Sequence, residues 1–232
     1  YEIGLGLVGS EMCIRDRTLS VSALGLVVAL IFGVLMGTLR TLPPDNLLTR
    51  SLALVGTVWV ELFRNIPVLV QIFLWYHVIP ALFPVMKAFP SFVLVSLALG
   101  FFTSARIAEQ VRAGIGSLPR GQTYAALAVG LTTTQSYRYV LLPMALRIVI
   151  PPLTSESMNI IKNSSVAFAV SVAELTLFAM QAQEETSRGI EIYLGVTALY
   201  MVSALTVNRV MAFIESRTRV PGFIAAASSG GH

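Results

Sequence analysis

Long apolar runs alternate with short polar ones along this chain. Thr18 to Leu39 is 22 residues without a charge. As a helix it spans about 33 Å, enough to cross the hydrocarbon core of a bilayer. Gly25, Gly33 and Gly37 fall one or two turns apart in it and suit close helix contact. Arg40 ends the run, and Pro43-Pro44-Asp45-Asn46 breaks the chain. Arg50 to Phe63 is apolar but closes on Glu61 and Arg64, which reads as an interfacial helix or the slanted start of a second span. Arg64-Asn65-Ile66-Pro67 interrupts it. Val68 to about Val85 then provides the second crossing, with Trp75 and Tyr76 expected near an interface. Ser91 to about Ala105 makes a third. Ile148 to Val166, entered through Pro151-Pro152, makes a fourth, and Ile192 to Ile214 a fifth. The stretch 167–180 is expected to lie in the interface as an amphipathic helix, not as a sixth span.

Charge placement orients these spans. Between Arg106 and Arg147 stand Arg106, Arg112, Arg120, Arg138 and Arg147 against the single acid Glu109, so this segment belongs in the cytoplasm. Glu174, Glu184, Glu185 and Glu191, with Arg188 the only base, fit the outer side. Arg209, Arg217 and Arg219 put the C-terminus inside. Five spans then require the N-terminus outside. The expected fold class is an all-α polytopic membrane protein of five transmembrane helices. Residues 18–220 would form the transmembrane domain. Residues 1–17, whose run 8–17 looks like translated adapter sequence, would be a non-native or disordered tail, and 221–232 a disordered one.

Composition agrees. The chain is 55% hydrophobic and only 12% charged, against roughly 25% charged in soluble domains. The lone Cys13 excludes an internal disulfide. A net charge of +4 spread over membrane-flanking loops gives no ground for nucleic-acid binding.

The basic segment carries a spaced pattern: Tyr124-Ala125-Ala126, three residues, Gly130, nine residues, then Val140-x-Leu142-Pro143. Gly130 frees the backbone to turn at positive φ, Thr132 to Gln135 suits a second short helix, and Pro143 suits re-entry into a long one. This resembles the coupling loop of ABC-type importer permeases, Glu-Ala-Ala-x3-Gly-x9-Ile-x-Leu-Pro. The resemblance implies that 120–143 docks on a separate ATPase subunit, with the small Ala125, Ala126 and Gly130 permitting close approach. Tyr124 stands where the pattern has Glu. It stacks and hydrogen-bonds but forms no ion pair, so docking should rest on shape more than on charge.

A second stretch, Val60 to Phe73, holds Arg64, Asn65, Pro67 and Gln71 at the helix break. It resembles the Phe-Arg-Gly-Thr-Pro-Leu-Leu-Val-Gln phrase of polar amino-acid importer permeases, and Asn in place of Gly is similar to the glutamate/aspartate branch. These four residues are the expected break and gate. Arg106, Glu109 and Arg112 stand at i, i+3 and i+6 and permit an ion-pair ladder on one helix face.

Within the fourth span, Ser155, Glu156, Asn159, Lys162 and Asn163 cover an arc of about 120° at 3.6 residues per turn. Ionisable groups at membrane depth are costly and seldom idle. Glu156 suits an ammonium group, and Asn159, Lys162 and Asn163 suit carboxylates, so this stripe is a candidate path for an amino acid. Equally, Glu156 and Lys162 suit pairing that holds the bundle or a partner subunit. No Gly-x4-Gly-Lys-Ser/Thr loop occurs, so ATP and Mg are expected on the partner ATPase and no cofactor in this chain. His77 and His232 stand too far apart to suggest a metal site.

Together these features imply an importer permease subunit in the bacterial inner membrane. Its implied partners are an ATPase, a second permease copy or chain, a periplasmic amino-acid-binding protein and the lipid bilayer. The competing readings are an ion-coupled secondary transporter or channel, with Glu156 and Lys162 as a relay, and the same importer class with a basic amino acid, glutamine or an opine as cargo.

Overall fold

The computed structural model describes residues 2–218, and side chains from 17 onward. Among these the chain is helical and contains no strand. The expected tail 221–232 and Arg219 lie outside the described residues, as do the side chains of 1–16.

Helix α1 (Glu2–Leu39) carries the first apolar run. Helix α2 (Leu47–Asn65) starts on a capping box, in which Asn46 Oδ1 accepts from the Thr49 amide and Thr49 Oγ1 accepts from the Asn46 amide. It ends at Pro67. Helix α3 (Val68–Phe73) resumes and continues through a π-helical turn, Leu74–Val78, into α4 (Ile79–Leu82). The two parts of this element meet at 106°. A 3-10 turn, Pro84–Ala88, leads to α5 (Ser91–Gly116). Helices α6 (Arg120–Ala128) and α7 (Thr133–Ser136) form a small excursion before the π-helical turn Tyr137–Leu141 and α8 (Leu142–Asn163). A 3-10 stretch, Ser164–Val170, leads to α9 (Leu175–Thr186), and α10 (Gly189–Thr218) closes the described chain.

Among the described residues, three helices are long and apolar enough to cross a membrane: Arg17–Leu39, Ser91–Gly116 and Gly189–Thr218. Two bent pairs, Leu47–Asn65 with Val68–Leu82 and Thr133–Val170 with Leu175–Thr186, bring the number to as many as five. Helix α5 is the axis. Val95, Ala98, Leu99, Ala105, Ile107, Ala108 and Val111 on it are fully buried. It pairs most extensively with α1, then with α8. Small residues permit this: a Cβ on Gly33 would lie 2.6 Å from the Ile107 side chain, and one on Gly37 2.6 Å from the Ala108 carbonyl. Helix α10 sits outermost, with 11% of its most apolar stretch buried.

Several boundaries differ from those the sequence suggests. The third helix does not stop near Ala105 but runs to Gly116, because Arg106, Glu109 and Arg112 find partners instead of leaving the bundle. Helix α8 begins at Leu142 and carries Pro151 and Pro152 in its interior. Trp75 packs on Phe101, ring centroids 4.9 Å apart. The stretch 167–180 is not one surface helix. It divides into a 3-10 turn and α9, whose Leu175 and Ala179 are fully buried against α10.

Candidate functional site

The excursion 120–143 has the shape its sequence foretells. Helix α6 ends at Val129, and Gly130 takes φ +86°, the left-handed region open to glycine. Its amide donates to the Leu127 carbonyl at 3.0 Å. Thr132 caps α7: its Oγ1 accepts from the Gln135 amide, and Gln135 Oε1 accepts from the Thr132 amide at 2.8 Å. Pro143 follows the π-helical turn Tyr137–Leu141, and the backbone stays helical through the join, with the Leu142 amide donating to the Tyr137 carbonyl.

The surface of this loop is not the one expected. Ala126 is buried (4% exposed) and turns back onto its own protein. The outward residues are Tyr124, Ala125, Leu127, Val129, Gly130, Tyr139 and Pro143. Tyr124 is 65% exposed and Val129 77%. Beside them the Arg138 guanidinium lies 5.7 Å from the Tyr139 ring centroid. Large apolar side chains so exposed outside the long helices are unusual enough to call for a reason. Leu142 is half-buried behind it. The loop is tied inward by a hydrogen bond from the Tyr137 hydroxyl to the Thr41 carbonyl, which no local sequence signal announces.

At the break between α2 and α3, the four expected residues divide into a joint and its surroundings. Pro67 has no N–H to donate to the Phe63 carbonyl one turn back. Gln71 supplies it: Nε2 donates to Phe63 O at 2.7 Å and to Ile66 O at 2.9 Å. Gln71 is buried (1% exposed), and with two carbonyls facing its amide nitrogen the side chain can be oriented only one way. Asn65 Nδ2 closes on the Glu61 carbonyl at 2.7 Å, and Arg64 lies 3.8 Å from Glu61.

Arg106, Glu109 and Arg112 do not form one ladder. Glu109 accepts from Arg112 at 3.0 Å and from Arg40 at 2.6 Å, with Arg64 at 3.6 Å. One carboxylate therefore gathers guanidinium groups from the ends of α1 and α2 and from α5. Arg106 turns away to α8, where its guanidinium meets Glu156 at 3.1 Å, and Gln110 Nε2 donates to the same Glu156 oxygen at 3.1 Å. Sequence reasoning missed both long-range partners. An isolated arginine at a helix end carries no mark of the acid it will meet 69 residues away.

Along α8, Glu156 is buried, Asn159 and Asn163 are half-buried, and Ser155 and Lys162 are exposed. The polar stripe is thus continuous, but its acid faces α5. Glu156 and Lys162 are not paired with each other. No group of three or more His, Cys, Asp or Glu suited to a metal occurs among the described residues.

A bundle of apolar helices built round α5, two of them broken, with a polar stripe in one long helix and an exposed loop outside, defines a helical membrane permease. The chain belongs to the family of binding-protein-dependent transport system inner membrane components, whose model matches residues 29–220. It is 42% identical over 215 residues to the glutamate/aspartate import permease protein GltJ of Escherichia coli K12, covering 88% of this chain and 85% of that one. A probable amino-acid ABC transporter permease, PatM of Vibrio harveyi, is 33% identical over 86% of this chain and 87% of its own length. The glutamine transport system permease GlnP of E. coli K12 is 32% identical over 88% and 90%. Among solved structures, an amino acid ABC transporter with histidines superposes with a TM-score of 0.77 at 27% identity, over 94% of this chain and 98% of that one. The inward-facing methionine transporter MetNI shares the fold, with a TM-score of 0.79 at 18% identity, over 93% and 99%.

Proposed function

We propose that this chain is the membrane-spanning subunit of an ATP-driven importer for acidic amino acids, glutamate and aspartate, in the bacterial inner membrane. The observation that carries the reading is the 120–143 loop. It combines a left-handed glycine, two capped short helices and an exposed apolar patch, in a chain whose relatives include a glutamate/aspartate import permease. ATP and Mg sit on a separate ATPase, since this chain carries no phosphate-cradling loop. A binding protein delivers the amino acid from outside, and two permease chains form the path between them. The ATPase pair binds one arrangement of the two loops better than the other, and that difference in affinity drives the change of access.

In this scheme Tyr124, Ala125 and Gly130 face the ATPase, while Ala126, Leu142 and Pro143 hold the loop in shape. Asn159, Lys162 and Asn163 line the path. Arg64, Asn65, Pro67 and Gln71 fix the bend beside it. The ion-coupled alternative needs a Glu156–Lys162 relay, and its two members have different surroundings. Glu156 is engaged by Arg106 and Gln110, and Lys162 is exposed without an ion-pair partner among the described residues. The test is extraction of the chain in mild detergent. An ATPase should co-purify, and its turnover should rise when a glutamate-loaded binding protein is added. Transport that survives ATP depletion, with no ATPase bound, overturns the reading.

A further inference from the structure

Two ion pairs of α5, Arg106–Glu156 and Arg112–Glu109, share a geometric bias. Glu156 is 5% exposed while its partner Arg106 is 40% exposed. Glu109 is 24% exposed while Arg112 beside it is 50% exposed. Each pair hides its acid and shows its guanidinium. Arg64 and Glu61, both half exposed, nearly cancel, and Arg40 is covered at 12%. The ion pairs of this region hold four cations, Arg40, Arg64, Arg106 and Arg112, against the three carboxylates Glu61, Glu109 and Glu156, and Lys162 adds an exposed cation further along α8.

Position makes this bias consequential. Arg106 sits inside an apolar 26-residue helix and Lys162 inside α8. Charged groups at such depth do not face lipid tails. They face a water-filled cavity or another chain. On the same face lie Ser155, Asn159 and Asn163, a polar lining that suits a wet route. Glu156 is engaged on one oxygen and enclosed on the other. Its Oε1 already accepts from Arg106 and Gln110, and its Oε2 is buried without a hydrogen-bond partner. Its role is to hold Arg106 in place.

We infer that Arg106 and Lys162 are specificity-determining residues: they present a positive surface to the route and favour amino acids with an anionic side chain over their neutral amide counterparts. Glu156 and Gln110 are positioning residues that aim Arg106. This rests on the reading of the chain as an amino-acid permease and adds which of its side chains choose the charge of the cargo. A planar guanidinium backed by a buried acid offers its outward N–H pair to a carboxylate. Glutamine, isosteric with glutamate, offers the guanidinium one acceptor oxygen and no opposite charge.

The experiment is equilibrium binding of radiolabelled glutamate and glutamine to the purified permease–ATPase complex, without binding protein and without nucleotide. The wild-type complex should favour glutamate by about tenfold or more. Arg106→Gln should remove most of that preference, Arg106→Lys should restore part of it, and Lys162→Gln should reduce it several-fold. Arg188→Gln, which removes a charge from an exposed pair on a different surface, should leave it unchanged. Size-exclusion profiles show whether each complex is intact. If Arg106→Gln does not assemble, Arg106→Lys and Lys162→Gln decide. Equal binding of the two amino acids by the wild type, no binding of either, or an unchanged preference in the variants overturns the inference. Stimulation of the ATPase by a glutamate-loaded binding protein is measured on the same preparation. Its loss would count against the importer reading itself, so the two failures are separable.

Discussion

At the scale of single residues, Gly130 and Gln71 do work that their neighbours cannot take over. A side chain on Gly130 would meet open space, so any penalty there is conformational and not steric. An ordinary L-residue held in the left-handed region costs about 1–2 kcal/mol, and Asn and Asp are the exceptions that tolerate it. Gly130→Asn should therefore retain more uptake than Gly130→Val, while Gly130→Asp, which adds a charge to the exposed turn, should abolish ATP-driven uptake with membrane insertion intact. Equal uptake by all three would remove the turn from the docking argument. For Gln71, replacement by Leu strips the partner from the Phe63 and Ile66 carbonyls in a buried setting, at about 1–3 kcal/mol for each unmatched group. The Gln71→Leu protein should lose several degrees of thermal stability in detergent. An unchanged melting midpoint would mean that the bend holds without it. The sequence shows that Pro67 breaks a helix. It does not show that Gln71 repairs the break, because that depends on the 106° turn bringing the amide back to the last carbonyls of α2.

At the scale of elements, helix contacts and caps decide the arrangement. The α1–α5 pair relies on the absence of side chains at Gly33 and Gly37, where a Cβ would come within 2.6 Å of existing atoms. Gly33→Val should separate the two helices and reduce the yield of assembled protein, read as loss of the monodisperse peak in size-exclusion chromatography. A full yield would show that α5 shifts to accommodate it. The start of α9 depends on Glu174, which is buried and accepts from the Thr176 and Leu177 amides at 2.9 Å and from the Tyr200 hydroxyl. Glu174→Ala removes the cap and should cost about 0.5–2 kcal/mol in that helix. Hydrogen exchange in 175–186 should accelerate by about tenfold with α5 unaffected, and unchanged exchange would show that packing alone holds α9. Glycine spacing and apolar runs were legible in the sequence because both are local. The cap was not, since an acid in a loop reads as solvated until Tyr200 is known to lie over it.

At the scale of the molecule, the positive-inside argument and the loop pattern both put 120–143 in the cytoplasm, with the 184–191 acids on the other side. In a Cys13→Ser background, Thr134→Cys should react with an impermeant maleimide only in inverted vesicles, and Arg188→Cys only in intact cells or spheroplasts. The opposite labelling would reverse the orientation. The order of the spans followed from hydropathy. The lengths of α5 and α8 did not, because charges that look like the end of a span are paired inside the bundle.

The hydrogen bond from Tyr137 to Thr41 gives this architecture a mechanical character. It welds the 120–143 excursion to the loop that follows α1. Arg40, one position before Thr41, is clamped to Glu109, and Arg64 at the end of α2 leans on the same acid. A push delivered from below at α6 therefore does not stop at α8, the helix to which that excursion is joined along the chain. It is distributed through one carboxylate to the feet of three helices, which would tilt as a single frame. On the proposed docking, the excursion would be a handle, and Glu109 the pin that makes the frame turn with it.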